Sequence, residues 1–413
     1  MIAVDDARRL VLARCLPLGP KAVALDDALG CVTSVALSAI DPIPAFANTA
    51  MDGFAVRASD TAGAPVRLEV VGTLAAGADP AGVGVGPGQA VRIMTGAPLP
   101  AGADAIVTVE RTSTPTADGT AVVVVVIEQA AGPGDHIRSA GDDLRAGQTA
   151  FETSTVLRPG HLGVLASLGL SEVTVFPAAR VGVLSTGDEL VQGSTPLRPG
   201  QIRDSNRPTL LAMVREAGCV AVDLGTARDD EDAIRSKLEE GLATCDAVVT
   251  SGGVSVGDFD YVKVVLDRIG RMDWWQVAIR PAKPFAFGVA GPRDTPVFGL
   301  PGNPVSSMVS FEMFVRPGLR RMMGHPAERL LRPVVPAVAD EALPRRPDGK
   351  LHLDRVVASH GPDGRHHVRR SSGQASHLLR AMALVNALAL VPDGDGVAEG
   401  GTVDIMVLST IGE

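Results

Sequence analysis

Arg180-Val181-Gly182-Val183-Leu184, followed at once by Ser185-Thr186-Gly187-Asp188-Glu189, decides the fold. The first five residues are a short apolar run of the kind that makes a strand buried on both faces. The next five turn to small, hydroxylated and acidic side chains, which suit a loop. Reading outward, the same unit recurs. Asp204-Ser205-Asn206 with Pro208 opens a helix that Gly218 closes. Residues 220–224 make the next strand, and Asp229-Asp230 caps a helix with the apolar stripe Ile234, Leu238 and Leu242. Ala247-Val248-Val249 is a third strand, and Val262, Val265, Leu266 and Ile269 mark the helix after it. Residues 297–300 form a later strand, and Asn303-Pro304 supplies an Asn cap with Pro at the first helical position. This alternation predicts a parallel, doubly wound α/β sheet over 178–328.

The flanks have a different texture. Residues 1–45 read as one or two helices and a connector: Asp5 is placed to cap a first helix, and Pro17, Gly19 and Pro20 end it. Asp41-Pro42-Ile43-Pro44 is too dense in proline for a helix or a central strand. Residues 46–145 change to short strands at 66–71, 90–94 and 105–110, with a hairpin turn at Ala117-Asp118-Gly119-Thr120. Residues 146–177 turn helical around Gly160-His161-Leu162 and are expected to rejoin the N-terminal segment. After 329 short strands return, separated by Asp-Gly turns at 363–364 and 393–394. The expected architecture is therefore multi-domain, α/β plus β. An elongated linker domain combines 1–45 with 146–177, a β-rich domain occupies 46–145, the α/β domain follows, and a small C-terminal β-barrel spans 329–413.

Composition narrows the function. A chain of 413 residues exceeds what one compact core supports, and 46% apolar residues with 46 Gly and 30 Pro fit a globular, turn-rich protein. A net charge of -9 with one Tyr and two Trp argues against a nucleic-acid surface, which needs clustered cations and stacking aromatics. It leaves room for a small anionic ligand. The N-terminus lacks the basic and apolar pattern of a secretory signal, and the longest aliphatic run, 122–127, is far below the roughly 20 residues that span a bilayer. A cytoplasmic protein without a membrane partner is expected. Cys15, Cys31, Cys219 and Cys245 form no C-x-x-C pair and read as reduced thiols.

Ligands of an open α/β sheet bind beyond the carboxyl ends of its strands. Four loops lie there: Ser185-Thr186-Gly187-Asp188-Glu189, residues 225–230, residues 251–260 beginning Ser251-Gly252-Gly253, and residues 299–304 with Pro301, Gly302, Asn303 and Pro304. Small and hydroxylated residues let backbone N–H groups and hydroxyls approach phosphate oxygens. Asp188, Glu189, Asp229, Asp258 and Asp260 would repel phosphate but suit Mg²⁺, a hard cation that takes oxygen ligands. Arg280 and Lys283, just downstream, can neutralise charge developing on a cleaved phosphoanhydride. Each motif alone has a plain structural reading, as a tight turn, a helix cap or a solvated charge. Four of them on one rim point to a phosphorylated ligand with a bridging cation. In the β-rich domain, the stretches around Asp52, Thr95 and Asp142 read on spacing as hairpin chemistry. His360, His366 and His367 meet no zinc spacing and read as a solvated hairpin.

Several stretches, in order, resemble the molybdopterin molybdenumtransferase family, the bacterial MoeA type related to the gephyrin E domain. They are NTAMDGFAV at 48–56, RIMTGAPLPAGADAIV at 92–107, VGVLSTGDEL at 181–190, RDSN at 203–206, TSGGVSVGDFDY at 250–261, KPFAFG at 283–288 and GLPGNPVSS at 299–307. The resemblance covers nearly the whole chain. It implies a molybdopterin-binding α/β domain in an elongated homodimer whose active site lies between subunits. It also implies Mg²⁺-dependent insertion of molybdate into adenylylated molybdopterin, with AMP leaving. By motif, Asp52, Thr95 and Asp142 would come from the β-rich domain, and Glu189, Asp229 and Asp260 would join Asp52 in handling metal or substrate. Lys283 would meet the phosphates, Ser251, Gly252, Pro301 and Pro304 would shape the pterin pocket, and Arg355, Ser372 and Ser376 would face the cleft from the C-terminal domain. A molybdopterin adenylyltransferase, apo-molybdoenzymes or their chaperones are the implied partners. Ala47, Phe54, Arg280 and Ala282 depart from residues common in the family (Asp, Tyr, Lys and Gly). Two other readings stay open: an adenylyltransferase or related nucleotide pyrophosphatase, which ATP consumption would reveal, and a non-catalytic pterin-binding scaffold, against which the full acid set argues.

Overall fold

The structure, a computed structural model, describes residues 1–113, 123–253 and 261–411. The Asp118-Gly119 turn, Asp258 and Asp260 lie outside them. The first helix, α1 (Val4–Arg14), begins one residue before the expected cap: Ala3 is the N-cap and makes no side-chain cap. Asp5 and Asp6 instead sit in the first turn, where negative charge complements the helix dipole. The chain then returns as Lys21–Ala24, which pairs antiparallel with Glu172–Phe176, and Val32–Thr33 pairs on that strand's other side. Residues 21–33 thus join the segment after 150, covered by α2 (Pro159–Ser167) through buried Leu165.

Between these segments, Gly53–Val56 is an inner strand of a six-stranded sheet, flanked by Gln89–Ile93 and by the edge strand Ala105–Thr108. Val66–Leu74 and Val124–Ile127 extend it. Val66–Leu74 alternates in burial, but a bulge between Val70 and Gly72 sends buried Leu68 and Leu74 into two different apolar clusters.

The α/β domain is built from β1 (Arg180–Thr186), α3 (Asn206–Glu216), β2 (Val220–Ala227), α4 (Glu231–Thr244), β3 (Ala247–Ser251), α5 (Tyr261–Ile269), β4 (Gly270–Gln276), β5 (Ile279–Arg280), β6 (Pro284–Ala290), β7 (Thr295–Leu300) and α6 (Pro304–Ser310). Strand order is β2-β1-β3-β7-β6-β4. The first four strands are parallel, and the expected doubly wound core is present. The expectation of a parallel sheet needs one correction, because β6 runs antiparallel to both its neighbours, β7 and β4. Residues 285–290 on β6 are all buried, so this strand shows no alternation to read. Helices cover both faces: α3, α6 and α1 on one, α4 and α5 on the other. A π-helical turn, Phe311–Val315, carries α6 into α7 (Arg316–Met322). Gly318 on α7 lets α1 approach, since a Cβ there would lie 2.9 Å from Cys15 Sγ.

The C-terminal strands β8 (Val334–Ala339), β9 (Leu351–His360), β10 (His366–Arg370), β11 (Ala387–Val391) and β12 (Thr402–Val407) follow the order β9-β10-β8-β12-β11. Pairing of β11 back onto β9 closes them into a barrel. Val356, Val368, Ala389 and Ile405 fill its interior. The short strand β5 leaves the α/β domain to pair in parallel with β9, Ile279 opposite Leu351 and Arg280 opposite His352. One apolar cluster runs from α1 through the α/β core to Leu353, Leu388 and Met406 of the barrel.

All four cysteines are free thiols, and Cys15, Cys219 and Cys245 are buried. No described helix is long and apolar enough to cross a membrane. The histidine hairpin is ordinary in form: His360 and His366 stack at 4.9 Å, while His367 bonds Asp340 and Asp363.

Candidate functional site

Parallel pairing of β1, β2, β3 and β7 brings their carboxyl ends to one rim. Ser185 and Thr186 are buried there, and Ser185 Oγ donates to Asp204 Oδ1 at 3.2 Å. Asp204 is a hub that also accepts from Thr226 Oγ1 (3.1 Å), from the Arg207 backbone N–H (3.1 Å) and from Arg207 Nε (3.3 Å). Asn206 Nδ2 donates to Ser251 Oγ (2.8 Å) and to the Gly302 carbonyl (2.7 Å), tying three loops together. Neither Asp204 nor Asn206 was singled out as a site residue from sequence, because a polar pair ahead of a helix reads as a cap. Their signal was the RDSN stretch itself.

Close approach of backbone explains the glycine at 252. Its φ is +97°, and a Cβ would lie 2.9 Å from the Thr186 carbonyl oxygen. Gly253 is also left-handed, at +68°. Gly252 N–H donates to the Leu300 carbonyl at 3.1 Å and a Cβ on Gly302 would lie 4.0 Å from Gly252 Cα, so the loops after β3 and β7 meet at bare backbone. The loops after β1 and β2 are laced by the backbone N–H groups of Asp188 and Asp229, each donating to the other's carboxylate at 3.3–3.4 Å. The Glu189 carboxylate folds back over Gly187, whose hypothetical Cβ would lie 2.3 Å from Oε2. Asp230, not Asp229, is the helix cap, accepting from Ala233 N–H at 2.9 Å. Asn303 occupies the N-cap of α6 without a side-chain cap, correcting its expected role, while Pro304 takes the first turn as expected.

The barrel closes on this rim. Val305 N–H, in the first turn of α6, donates to the Ser376 carbonyl at 3.1 Å. Residues 373–375 of the same loop wrap Arg355, which is fully buried: Nη2 donates to the carbonyls of Gly373 (2.8 Å) and Ala375 (3.3 Å). Gln374 holds the Arg355 backbone from both sides. Nε and Nη1 of Arg355 have no partner among the described residues, and burial pushes the guanidinium below its ordinary pKa. Beside it opens a cleft of about 420 Å³, lined by Arg280, Pro281, Arg346, Arg370, Gln374 and Ala375 among others. Arg280 is exposed and is held by the β5–β9 pairing. Lys283 is exposed as well, its carbonyl accepting from Val277 N–H at 2.7 Å. Ala282 between them has φ +81°, a conformation that favours glycine. Ser372 is exposed on the loop. A larger hollow of about 530 Å³ lies beside Asp246 and Arg293, at the opposite ends of the strands. The cleft lies beside the 373–376 loop that bonds the first turn of α6, whereas the hollow lies at the far ends of the strands, which favours the cleft.

The β-rich residues gather separately. Asp52 Oδ1 accepts from Thr95 N–H (2.6 Å) and Thr95 Oγ1 (2.7 Å), and these bonds hold the carboxyl below its ordinary pKa. Asp142 Oδ2 accepts from Ser139 N–H at 2.7 Å. Asn48–Thr49 links the two turns, pairing with Ile137–Arg138 and bonding Gly96 and Ala97. Among the described residues, no hydrogen bond or ion pair joins Asp52, Thr95 or Asp142 to the α/β rim. No three His, Cys, Asp or Glu side chains among the described residues cluster as a metal site either. The expected quartet Asp52, Glu189, Asp229 and Asp260 is therefore not assembled by the described residues of one chain.

A doubly wound sheet with a hydroxyl- and acid-bearing rim, joined to a small closed barrel, defines a multi-domain α/β-plus-β protein whose rim is of the kind that takes anionic ligands. Three family models match in succession: the MoeA N-terminal region (domain I and II) over 2–169, a probable molybdopterin binding domain over 182–321, and the MoeA C-terminal region (domain IV) over 337–408. The chain belongs to the MoeA family. It is 41% identical to molybdopterin molybdenumtransferase 2 of Mycobacterium tuberculosis, covering 97% of this chain and 98% of that one. It is 36% identical to the molybdopterin molybdenumtransferase of Haemophilus influenzae, covering 98% of each. The crystal structure of a molybdopterin biosynthesis MoeA protein from Pyrococcus horikosii superposes with a TM-score of 0.81 at 27% identity, over 99% of this chain and all of that one.

Proposed function

We infer that this protein is a molybdopterin molybdenumtransferase, a transferase of molybdenum-cofactor biosynthesis. It inserts molybdate into adenylylated molybdopterin and releases AMP. The observation that carries this reading is Arg355: a fully buried guanidinium with two unused nitrogens, behind the Gln374–Ala375 wall of the cleft that Arg280 also lines. A buried cation without a full set of acceptors is costly, and an anion in the neighbouring cleft offsets its charge. Molybdate and a pyrophosphate repel each other, so a site that joins them must provide cations on the barrel side and N–H and hydroxyl donors on the rim side. Arg280, Lys283 and Arg355 take the first part. Ser185, Thr186, Ser251 and the bare backbone of Gly252 and Gly302 take the second.

Mg²⁺ belongs to this proposal through the family resemblance. Asp188, Glu189 and Asp229 collect at the rim, but the described residues do not complete a metal shell, so no step is routed through the ion. Among the described residues, Asp52, Thr95 and Asp142 make no bond to their own rim, and together with the family resemblance this supports a homodimer in which each β-rich domain serves its partner's site. The test is AMP release from adenylylated molybdopterin by the purified protein, with Mg²⁺, with and without molybdate. Molybdate-dependent release with formation of active cofactor is the expected result. Consumption of ATP without molybdate would replace this reading by an adenylyltransferase, and binding without release would replace it by a scaffold.

A further inference from the structure

A second pocket, of about 380 Å³, opens between residues 153–161 and residues 326–329. None of its lining residues belongs to the rim or the cleft. Its walls are unusually donor-rich. Thr153 and Ser154 place hydroxyls there that have no partner among the described residues, and Thr155 Oγ1 donates to the Glu152 carbonyl at 2.7 Å. His161 Nδ1 accepts from the Arg158 backbone N–H at 3.1 Å, so its proton sits on Nε2, which remains a donor. The guanidiniums of Arg158 and Arg329 make no ion pair or hydrogen bond among the described residues. Glu328 is the one carboxylate lining the pocket.

The ground behind the pocket is also positive. Arg320 Nε donates to the Arg329 carbonyl at 2.7 Å, and its Nη2 faces His325 Nδ1 at 3.3 Å, with no carboxylate bound. Arg316 lies one turn before it on α7. The nearby glutamates are already engaged: Arg332 takes Glu312 at 3.0 Å and Glu216 at 2.6 Å. Burial, then the repulsion of Arg320, Arg316 and Arg329, pushes His325 down to about 4. Burial and the neighbouring guanidiniums lower Arg320 to about 10. After burial, the remaining push on both groups comes from guanidiniums, of which Arg316 is partly offset by Glu312 at 3.8 Å.

We propose that this pocket binds a tetrahedral oxyanion, free or as the terminal phosphate of a small ester, through Arg158, Arg329, the hydroxyls of Thr153 and Ser154, and His161 Nε2. Planar guanidiniums and hydroxyl donors converging on one hollow are the chemistry that recognises such an anion. The bound anion would bridge the segment that pairs with the N-terminus to the end of the α/β domain. This site is independent of the activity proposed above.

The test is isothermal titration of the full-length protein with inorganic phosphate, and separately with AMP, at constant ionic strength. Arg158→Gln combined with Arg329→Gln should weaken the assigned binding event by at least about tenfold. Ser154 has φ +61°, so Ser154→Gly keeps the backbone while deleting one donor. It should hold or raise the melting temperature and weaken the anion by about threefold or more. Arg280→Gln, in the cleft, should leave this event unchanged. Tighter binding of AMP than of phosphate assigns the ester, and equal binding assigns the free anion. An isotherm unchanged in the folded double variant, or lost in Arg280→Gln, overturns the proposal.

Discussion

Burying a guanidinium is unfavourable unless its five N–H donors find acceptors, and Arg355 uses only Nη2 for side-chain bonds. Arg355→Met preserves the bulk and removes the unmet donors. It should leave the melting temperature unchanged or higher while weakening molybdate binding at least about tenfold, read by titration calorimetry and thermal denaturation side by side. Asp52 offers a contrasting case, an exposed acid held by two donors from one threonine. Its depressed pKa contributes stability above the unfolded value, lost as pH falls through the folded value. Thr95→Val deletes the hydroxyl donor but keeps the N–H, so the Asp52 carboxyl should titrate at higher pH in ¹³C NMR, though still below an ordinary aspartate. Single residues were unevenly legible. Gly252 was legible as a turn whose bare backbone could face a phosphate, though not as a close approach to the Thr186 carbonyl. Asp204 and Asn206 did not, since their bonds reach 19 and 45 residues away, and nothing in a local pattern records that.

Among the elements, the rim depends on loops packed without side chains between them. Gly252→Ala would place a methyl 2.9 Å from the Thr186 carbonyl oxygen on a backbone with φ +97°. A loss of about 1–3 kcal/mol in urea unfolding is expected, with weakened substrate binding because the loops after β1 and β3 separate. The β9–β10 hairpin carries a pH-dependent tie. His367 lies 2.6 Å from Asp340 and 3.1 Å from Asp363, and those bonds hold its pKa above the ordinary 6.5. A raised histidine stabilises fully below its unfolded pKa and loses that contribution as pH rises through the folded value. The melting-temperature advantage of wild type over His367→Gln should therefore be largest in acid and vanish in mild alkali. Strands such as Val66–Leu74 were legible as short apolar runs between Gly, Pro and Asp. The reversed strand β6 was not: buried on both faces, it offers no period, and nothing in its composition distinguishes a hairpin return from a crossover.

At the scale of the molecule, the two groups of candidate residues are separate within one chain, and the family resemblance implies that a second subunit unites them. Mixing Asp52→Ala and Arg355→Met chains tests this directly. If each β-rich domain serves its partner, half the dimers are mixed and each mixed dimer holds one intact site, so roughly a quarter of wild-type AMP release should return. No recovery would place each whole site within one chain. The class of the α/β core was readable from strand–helix alternation and the family from ordered motifs, but inter-domain contacts such as Val305 to Ser376 join residues 71 positions apart and leave no trace in spacing. The pairing of β5 with β9 has a consequence of its own. The amide of Leu351 donates to the Ala278 carbonyl at 3.0 Å, so its proton is shielded only while barrel and α/β core remain engaged at the mouth of the cleft. Its deuterium uptake is a built-in clock for cleft opening: slow uptake means the cavity is shaped before any ligand arrives, and slowing on addition of a ligand would time its closure.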